Sequence, residues 1–192
     1  MGESPKTFNV VLRLFCVQFI VILISVLFME SFVGMISSNT GVKVYSTITA
    51  AIYLCVYYSK VWNAGRKDAK HVKVYNNHHE DKISVNNLKG LTVGILAAIP
   101  NIIALTAVAI TKLTGSSYYS VANPILRILQ TPFIGWMGND NLTYIPNCVI
   151  ITLLPIILSA PAYIAGVKNF SVTEKYLPML VYKNNTKNNT NK

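Results

Sequence analysis

The sequence predicts an all-α polytopic membrane protein: four transmembrane helices, both ends on the cytoplasmic side, and an interfacial amphipathic helix in the outer loop. Three observations carry this expectation. Four stretches hold almost no charge: 14–36, where Glu30 is the one charged residue; 44–62, charge-free as far as residue 59; 90–111; and 147–167. At a rise of 1.5 Å per residue, about 20 such residues cross the hydrocarbon layer. The composition agrees, with 52% hydrophobic and only 12% charged residues, about half the charged fraction of a soluble domain. Finally, the cations are one-sided. With the N-terminus inside, Lys6, Arg13, Lys60, Arg66, Lys67, Lys70, Lys73, Lys82, Lys89, Lys168, Lys175, Lys183, Lys187 and Lys192 fall inside, and only Lys43, Lys112 and Arg127 outside. That is the positive-inside distribution.

The 192 residues suit one integral membrane domain over 1–183, with no room for a separate soluble catalytic domain. The first apolar run exceeds a signal peptide's 7–15-residue core and no small-x-small cleavage site follows, so it reads as a retained anchor. Gly2 lacks the Ser or Thr at position 6 that myristoylation requires; Lys6 stands there. Ser37-Ser38-Asn39-Thr40-Gly41 then forms a tight turn, making the first two spans an antiparallel hairpin.

The second span carries Tyr45 near its outer end and Tyr57, Tyr58 and Trp62 near its inner end, where amphipathic rings prefer the interface. It is expected to continue as helix toward Asp68. A cytoplasmic loop over 63–88 follows, in which Val72, Val74, Ile83 and Val85 alternate around Asn76-Asn77-His78-His79, a pattern compatible with a small hairpin.

The third span places Gly90, Gly94 and Ala98 on one face, the spacing by which membrane helices approach each other closely. In the outer loop, 113–146, Asn123-Pro124 reads as a helix N-cap and first position. Val121, Ile125, Ile128 and Leu129 form the apolar face, and Pro132 ends the helix. A re-entrant loop is the weaker alternative because it would bury Arg127. The fourth span contains Pro155 and Pro161. Beyond it, Ser171-Val172-Thr173-Glu174 makes a capping box, and the Asn-, Thr- and Lys-rich stretch 184–192 is a disordered polar tail.

Few residues invite chemistry. Pro100-Asn101 falls halfway along the third span and Pro155 at similar depth on the fourth. Two broken helices with one amide near the midplane match the way transporters build a site. The plainer alternative is that Asn101 bonds a carbonyl freed by proline. Glu30 is the single intramembrane acid, which snorkelling or pairing with Arg127 or Lys43 would satisfy. His71, His78, His79, Glu80 and Asp81 lack metal-ligand spacing and read as solvated loop residues. Cys16, Cys55 and Cys148, an odd set within apolar runs, read as packing residues rather than a disulfide framework. The Asn-x-Thr triplets at Asn141, Asn184 and Asn188 matter only in a secretory-pathway protein.

Trp62-x-x-Gly65-x-Lys67-Asp68, Lys89-Gly90-Leu91-x-x-Gly94 and Ala97-Ala98-Ile99-Pro100, with Tyr163-Ile164-Ala165-Gly166, Glu174-Lys175 and Val181-Tyr182-Lys183, cover about a third of the chain. In these stretches it resembles a group of small multi-span membrane proteins of low-GC Gram-positive bacteria. The resemblance implies a bacterial cytoplasmic membrane and a multi-span fold, and brings no activity with it.

The expectation is therefore a membrane protein without cofactor or metal, partnered by the lipid bilayer and by a second copy or another membrane subunit, and not by nucleic acid. An accessory or scaffolding subunit is the leading reading. A small-solute or ion transporter built around Pro100, Asn101 and Pro155 is the alternative. An enzyme ranks below both, for want of any nucleophile or acid-base constellation.

Overall fold

The computed structural model describes residues 7–31, 39–138 and 144–169. The described residues form five α-helices: α1 Thr7–Ser31, α2 Asn39–His78, α3 Lys89–Leu113, α4 Tyr119–Leu129 and α5 Ile145–Val167. A 3₁₀ segment, Thr131–Trp136, lies between α4 and α5. No strand occurs among the described residues. Among the described residues three helices are long and apolar enough to cross a membrane: Thr7–Met29, Lys89–Leu113 and Ile145–Val167.

Helix α2 is not among those three. Its outward residues Val44, Ile48 and Ile52 are apolar, whereas Ser46, Tyr53 and Tyr57 point inward and are buried. Its hydropathy is lowered by these buried groups and by exposed Lys43, Thr47, Tyr58, Ser59 and Lys60. The hydroxyl of Tyr45 donates to the Ser25 carbonyl and ties α2 to α1.

Helix α5 is the centre of the bundle, packed on α2 and α3. Glycine sets both crossings. A Cβ at Gly65 would run into the Tyr163 carbonyl, and one at Gly166 into the Trp62 carbonyl, so α2 and α5 touch backbone to backbone. On α3, Gly90, Gly94 and Ala98 are all buried. Gly90 faces the Tyr163 side chain and Gly94 faces Ser159. The Ser159 hydroxyl donates 2.7 Å back to Ile156 on its own helix. With no hydrophobic force between helices in lipid, such close backbone contact is a main source of attraction.

Several boundaries depart from the sequence reading. Helix α1 starts at Thr7, before residue 14, because Phe8, Val10, Val11 and Leu12 already suit an apolar helix and Arg13 is exposed on its surface. Helix α2 runs to His78, so most of the expected loop 63–88 is helical and no hairpin forms there. Ala64, Arg66, Lys67, Ala69, Lys70 and Lys73 are good helix formers, and a polar stretch need not leave the helix. Beyond it, Asn76 closes the connection by bonding both the carbonyl (3.0 Å) and the N–H (2.9 Å) of Ile83.

Helix α4 begins at Tyr119, not at Asn123-Pro124. The first turn is nucleated by Ser116 and Ser117, whose carbonyls accept from Tyr119 (3.1 Å) and Ser120 (3.3 Å). That leaves Asn123 buried mid-helix and Pro124 on the exposed side. Helix α4 packs against α3, burying Asn123 and Leu126, and turns Val121, Ile125 and Ile128 outward. Arg127 is half-buried. Pro132 does end the helix, opening the 3₁₀ segment. The Ser171 capping box, the 184–192 tail and Asn141 lie outside the described residues.

Candidate binding site in the bundle interior

The 3₁₀ segment is the element that builds the site. Its Thr131, Pro132 and Phe133 are buried, held against α2 by two hydrogen bonds. The Gly135 N–H donates to Ser46 Oγ at 2.7 Å, and Thr49 Oγ1 donates to the Pro132 carbonyl at 2.8 Å. Phe133 stands edge-on to Tyr53, with ring centroids 5.8 Å apart. From the other side the Asn147 amide donates to the Trp136 carbonyl at 2.7 Å. The turn between α4 and this segment is thereby fixed inside the bundle.

Gln130, 2% exposed, occupies that turn. Its Nε2 donates to Thr152 Oγ1 on α5 at 2.9 Å. A small cavity opens beside it, lined by Gln18, Tyr53, Asn101, Leu129, Gln130, Pro132, Phe133, Ile151 and Pro155. Each of the five described helices contributes a lining residue. The cavity leaves about 10 Å³ for the centre of a water-sized molecule, which is room for about one water. Two carbonyl oxygens here are buried without a hydrogen-bond partner, Asn101 Oδ1 and Gln130 Oε1.

Asn101 and Pro155, singled out from sequence, therefore share one cavity. Pro100 is half-buried in α3 and does not line it. Gln18 and Gln130 were missed. Gln18 sits in an apolar run and Gln130 off the apolar face of α4, and neither carries charge. Glu30 lies in the last turn of α1, with its side chain outside the described residues.

A second polar cluster closes the opposite end. Asp68, 5% exposed, lies on the buried stripe of α2 formed by Tyr53, Tyr57, Val61 and Ala64. Its Oδ2 accepts from the Tyr163 hydroxyl at 2.5 Å and pairs with Lys89 Nζ at 2.7 Å. Three helices are pinned at one carboxylate, beside the glycine crossings of Gly65, Gly90 and Gly166. Asp68 was legible in principle, since it continues the 3–4 spacing of that stripe.

His78 and His79 are exposed at the end of α2, where the His79 ring stacks 4.2 Å from Tyr75. Cys16 and Cys55 are free and exposed, and Cys148 is free and buried. No protein-family model, curated protein or solved structure matches the chain.

Proposed function

We propose that the chain is a four-span integral protein of a bacterial cytoplasmic membrane, with both ends inside, and that it serves small-solute passage through its bundle. The spans are α1, α2, α3 and α5, with α4 and the 3₁₀ segment forming a re-entrant element between the last two. For α2, the support is its apolar outer face and inward hydroxyls: Val44, Ile48 and Ile52 suit lipid, while Ser46 and Thr49 bond the re-entrant turn. For orientation, the support is the one-sided distribution of Lys and Arg.

One observation carries the functional reading. Uncharged amides from α1, from α3 and from the re-entrant turn meet in a cavity beside Pro155, with two acceptors left over. Buried polar groups inside a membrane bundle mark pathways and sites, and re-entrant backbone belongs where it lines a cavity. The test is flux of small solutes into vesicles reconstituted with the protein. Asn101→Ala and Gln130→Ala should each lower it, and passage equal to that of empty vesicles with the intact protein would defeat the reading.

The size of the cavity favours a second reading, an accessory subunit of a larger membrane complex, since one water fills it. The glycine face of α3 is covered by α5, so the partner surface would lie on α1, whose Phe19, Leu23 and Leu27 face outward. Under that reading, Phe19→Ser and Leu23→Ser break co-purification with the partner, while Asn101→Ala leaves it intact.

A further inference from the structure

The exposed face of α2 changes character along its length. At about 100° per residue, Ile48, Ile52, Lys60, Asn63, Lys67 and Lys70 fall on one side of the helix, within about 120° of one another. All six are exposed. The two isoleucines come first and the cations follow, with Lys73 exposed at the edge of the same face. No acid interrupts the stripe. Asp68, the one carboxylate of α2, points to the opposite side, where Lys89 and Tyr163 hold it. Among the described residues, none of Lys60, Lys67, Lys70 and Lys73 pairs with a carboxylate.

The change falls at a definite depth. Lys89, the first residue of α3, meets Asp68, and Gly166, near the end of α5, lies on Trp62. The inner ends of both apolar spans are therefore level with residues 62–68 of α2, within the lysine stripe. From Lys60 to Lys73 the helix rises about 20 Å, whereas the polar layer of one leaflet is about 5–7 Å thick. Lys67 stands in that layer. Flexible stems let Lys60 reach it from the core side, and Lys70 and Lys73 from the cytosolic side.

We propose that this face of α2 binds an anionic phospholipid of the inner leaflet, its head group on Lys60, Lys67 and Lys70 and an acyl chain along Ile48 and Ile52. The inference rests on α2 crossing the membrane and is independent of solute passage. The occupant has to be apolar at one end and anionic at the other, in the register the face sets, and a phospholipid is both. An acidic protein segment would match the charge but would have to enter the head-group layer to reach Lys60 and Lys67. A zwitterionic lipid brings a cation of its own to the stripe and gains little. Each lysine beside an anionic head group adds roughly fivefold to the association.

Spin-labelled phosphatidylglycerol and phosphatidylcholine test this in vesicles reconstituted with the intact chain, through the fraction of each lipid immobilised on the protein. Phosphatidylglycerol should be favoured by about fivefold or more at low ionic strength, and the preference should fall as salt is added. Lys67→Gln, Lys70→Gln and Lys73→Gln together should remove most of it. Lys43→Gln, at an exposed lysine near the other end of α2, should lower it far less. Equal immobilisation of the two lipids by the intact protein would overturn the proposal, as would a preference undiminished in the triple variant or lost equally in Lys43→Gln. Capture of a soluble polyglutamate peptide in place of the lipid would also overturn it, marking a protein-docking surface. If the triple variant fails to fold, the three single variants decide in its place. Both leaflets carry the labelled lipid, so the preference is read whichever way the chain inserts, and the sidedness of residue 77 tests the crossing of α2 separately.

Discussion

Lys89 Nζ lies 2.7 Å from Asp68 Oδ2, and this pair holds the first turn of α3 to the far half of α2. The Tyr163 hydroxyl, from α5, bonds the same oxygen. A buried charge is tolerable only while its partner is present; once the partner is lost, its desolvation is uncompensated. Lys89→Met should therefore destabilise the protein by about 3 kcal/mol. Asp68→Asn combined with Lys89→Met should regain much of that, because neither charge remains. Unfolding in graded denaturing detergent measures both. Additive losses in the double variant would mean that the two side chains act independently.

Gly166 sits where α5 lies directly on the α2 backbone at Trp62. Gly166→Ala places a methyl group against a carbonyl that cannot rotate away, so the helices must part. Overpacking of this kind costs about 1–3 kcal/mol. Gly115, with open space around it, offers a contrast: its φ of +63° makes alanine strained without any clash, a loss of about 1 kcal/mol. The two variants should differ in where they act. Gly166→Ala should loosen cross-links between cysteines engineered on α2 and α5, and Gly115→Ala should leave them unchanged.

How much of this was legible follows from what hydropathy measures. It reports the solvent preferred by an averaged helix, and so found α1, α3 and α5 to within a few residues apart from the early start of α1. It misplaced the end of α2, because Arg66, Lys67, Lys70 and Lys73 leave the membrane-like pattern without leaving the helix. It found the apolar face of α4, where Val121, Ile125 and Ile128 do turn outward, but gave no sign that Asn123 and Leu126 are buried on the other side. Counting residues gave Asn101 and Pro155 similar depth. That they share a cavity with Gln18 and Gln130 depends on the turn between α4 and the 3₁₀ segment, a tertiary feature with no periodicity of its own. Asp68 was hidden for a related reason, since one acid on a helix rich in lysine looks solvated until its register with Tyr57, Val61 and Ala64 is followed.

Thr152 is the anchor of the Gln130 amide. Thr152→Val is nearly isosteric but removes the acceptor, leaving the Gln130 nitrogen with only the distant Cys148 carbonyl. The loss should be about 1–3 kcal/mol, the penalty for a buried polar group without a good partner. Thr106→Val is the control, because Thr106 is exposed and bonds only its own helix at Ile102 and Ile103; it should change stability little. If thermal unfolding in detergent ranks the two variants equally, the Gln130–Thr152 bond is not holding the turn.

Topology gives the last prediction, and it separates four spans from three. Tyr118 precedes α4 and is exposed, and Asn77 lies near the end of α2 and is exposed. If α2 crosses the membrane, residue 77 is in the cytoplasm and residue 118 outside. If only α1, α3 and α5 cross, α2 stays on the outer side with the end of α1, and the two positions exchange sides. In a background with Cys16, Cys55 and Cys148 replaced by alanine, Tyr118→Cys should react with a membrane-impermeant maleimide applied to intact cells. Asn77→Cys should react only after the cells are opened. The proposed orientation carries the same expectation, because Arg66, Lys67, Lys70 and Lys73 share α2 with Asn77. Placing them outside would set that cluster against the positive-inside bias, at about 1 kcal/mol of lost lipid attraction for each residue near the anionic inner leaflet.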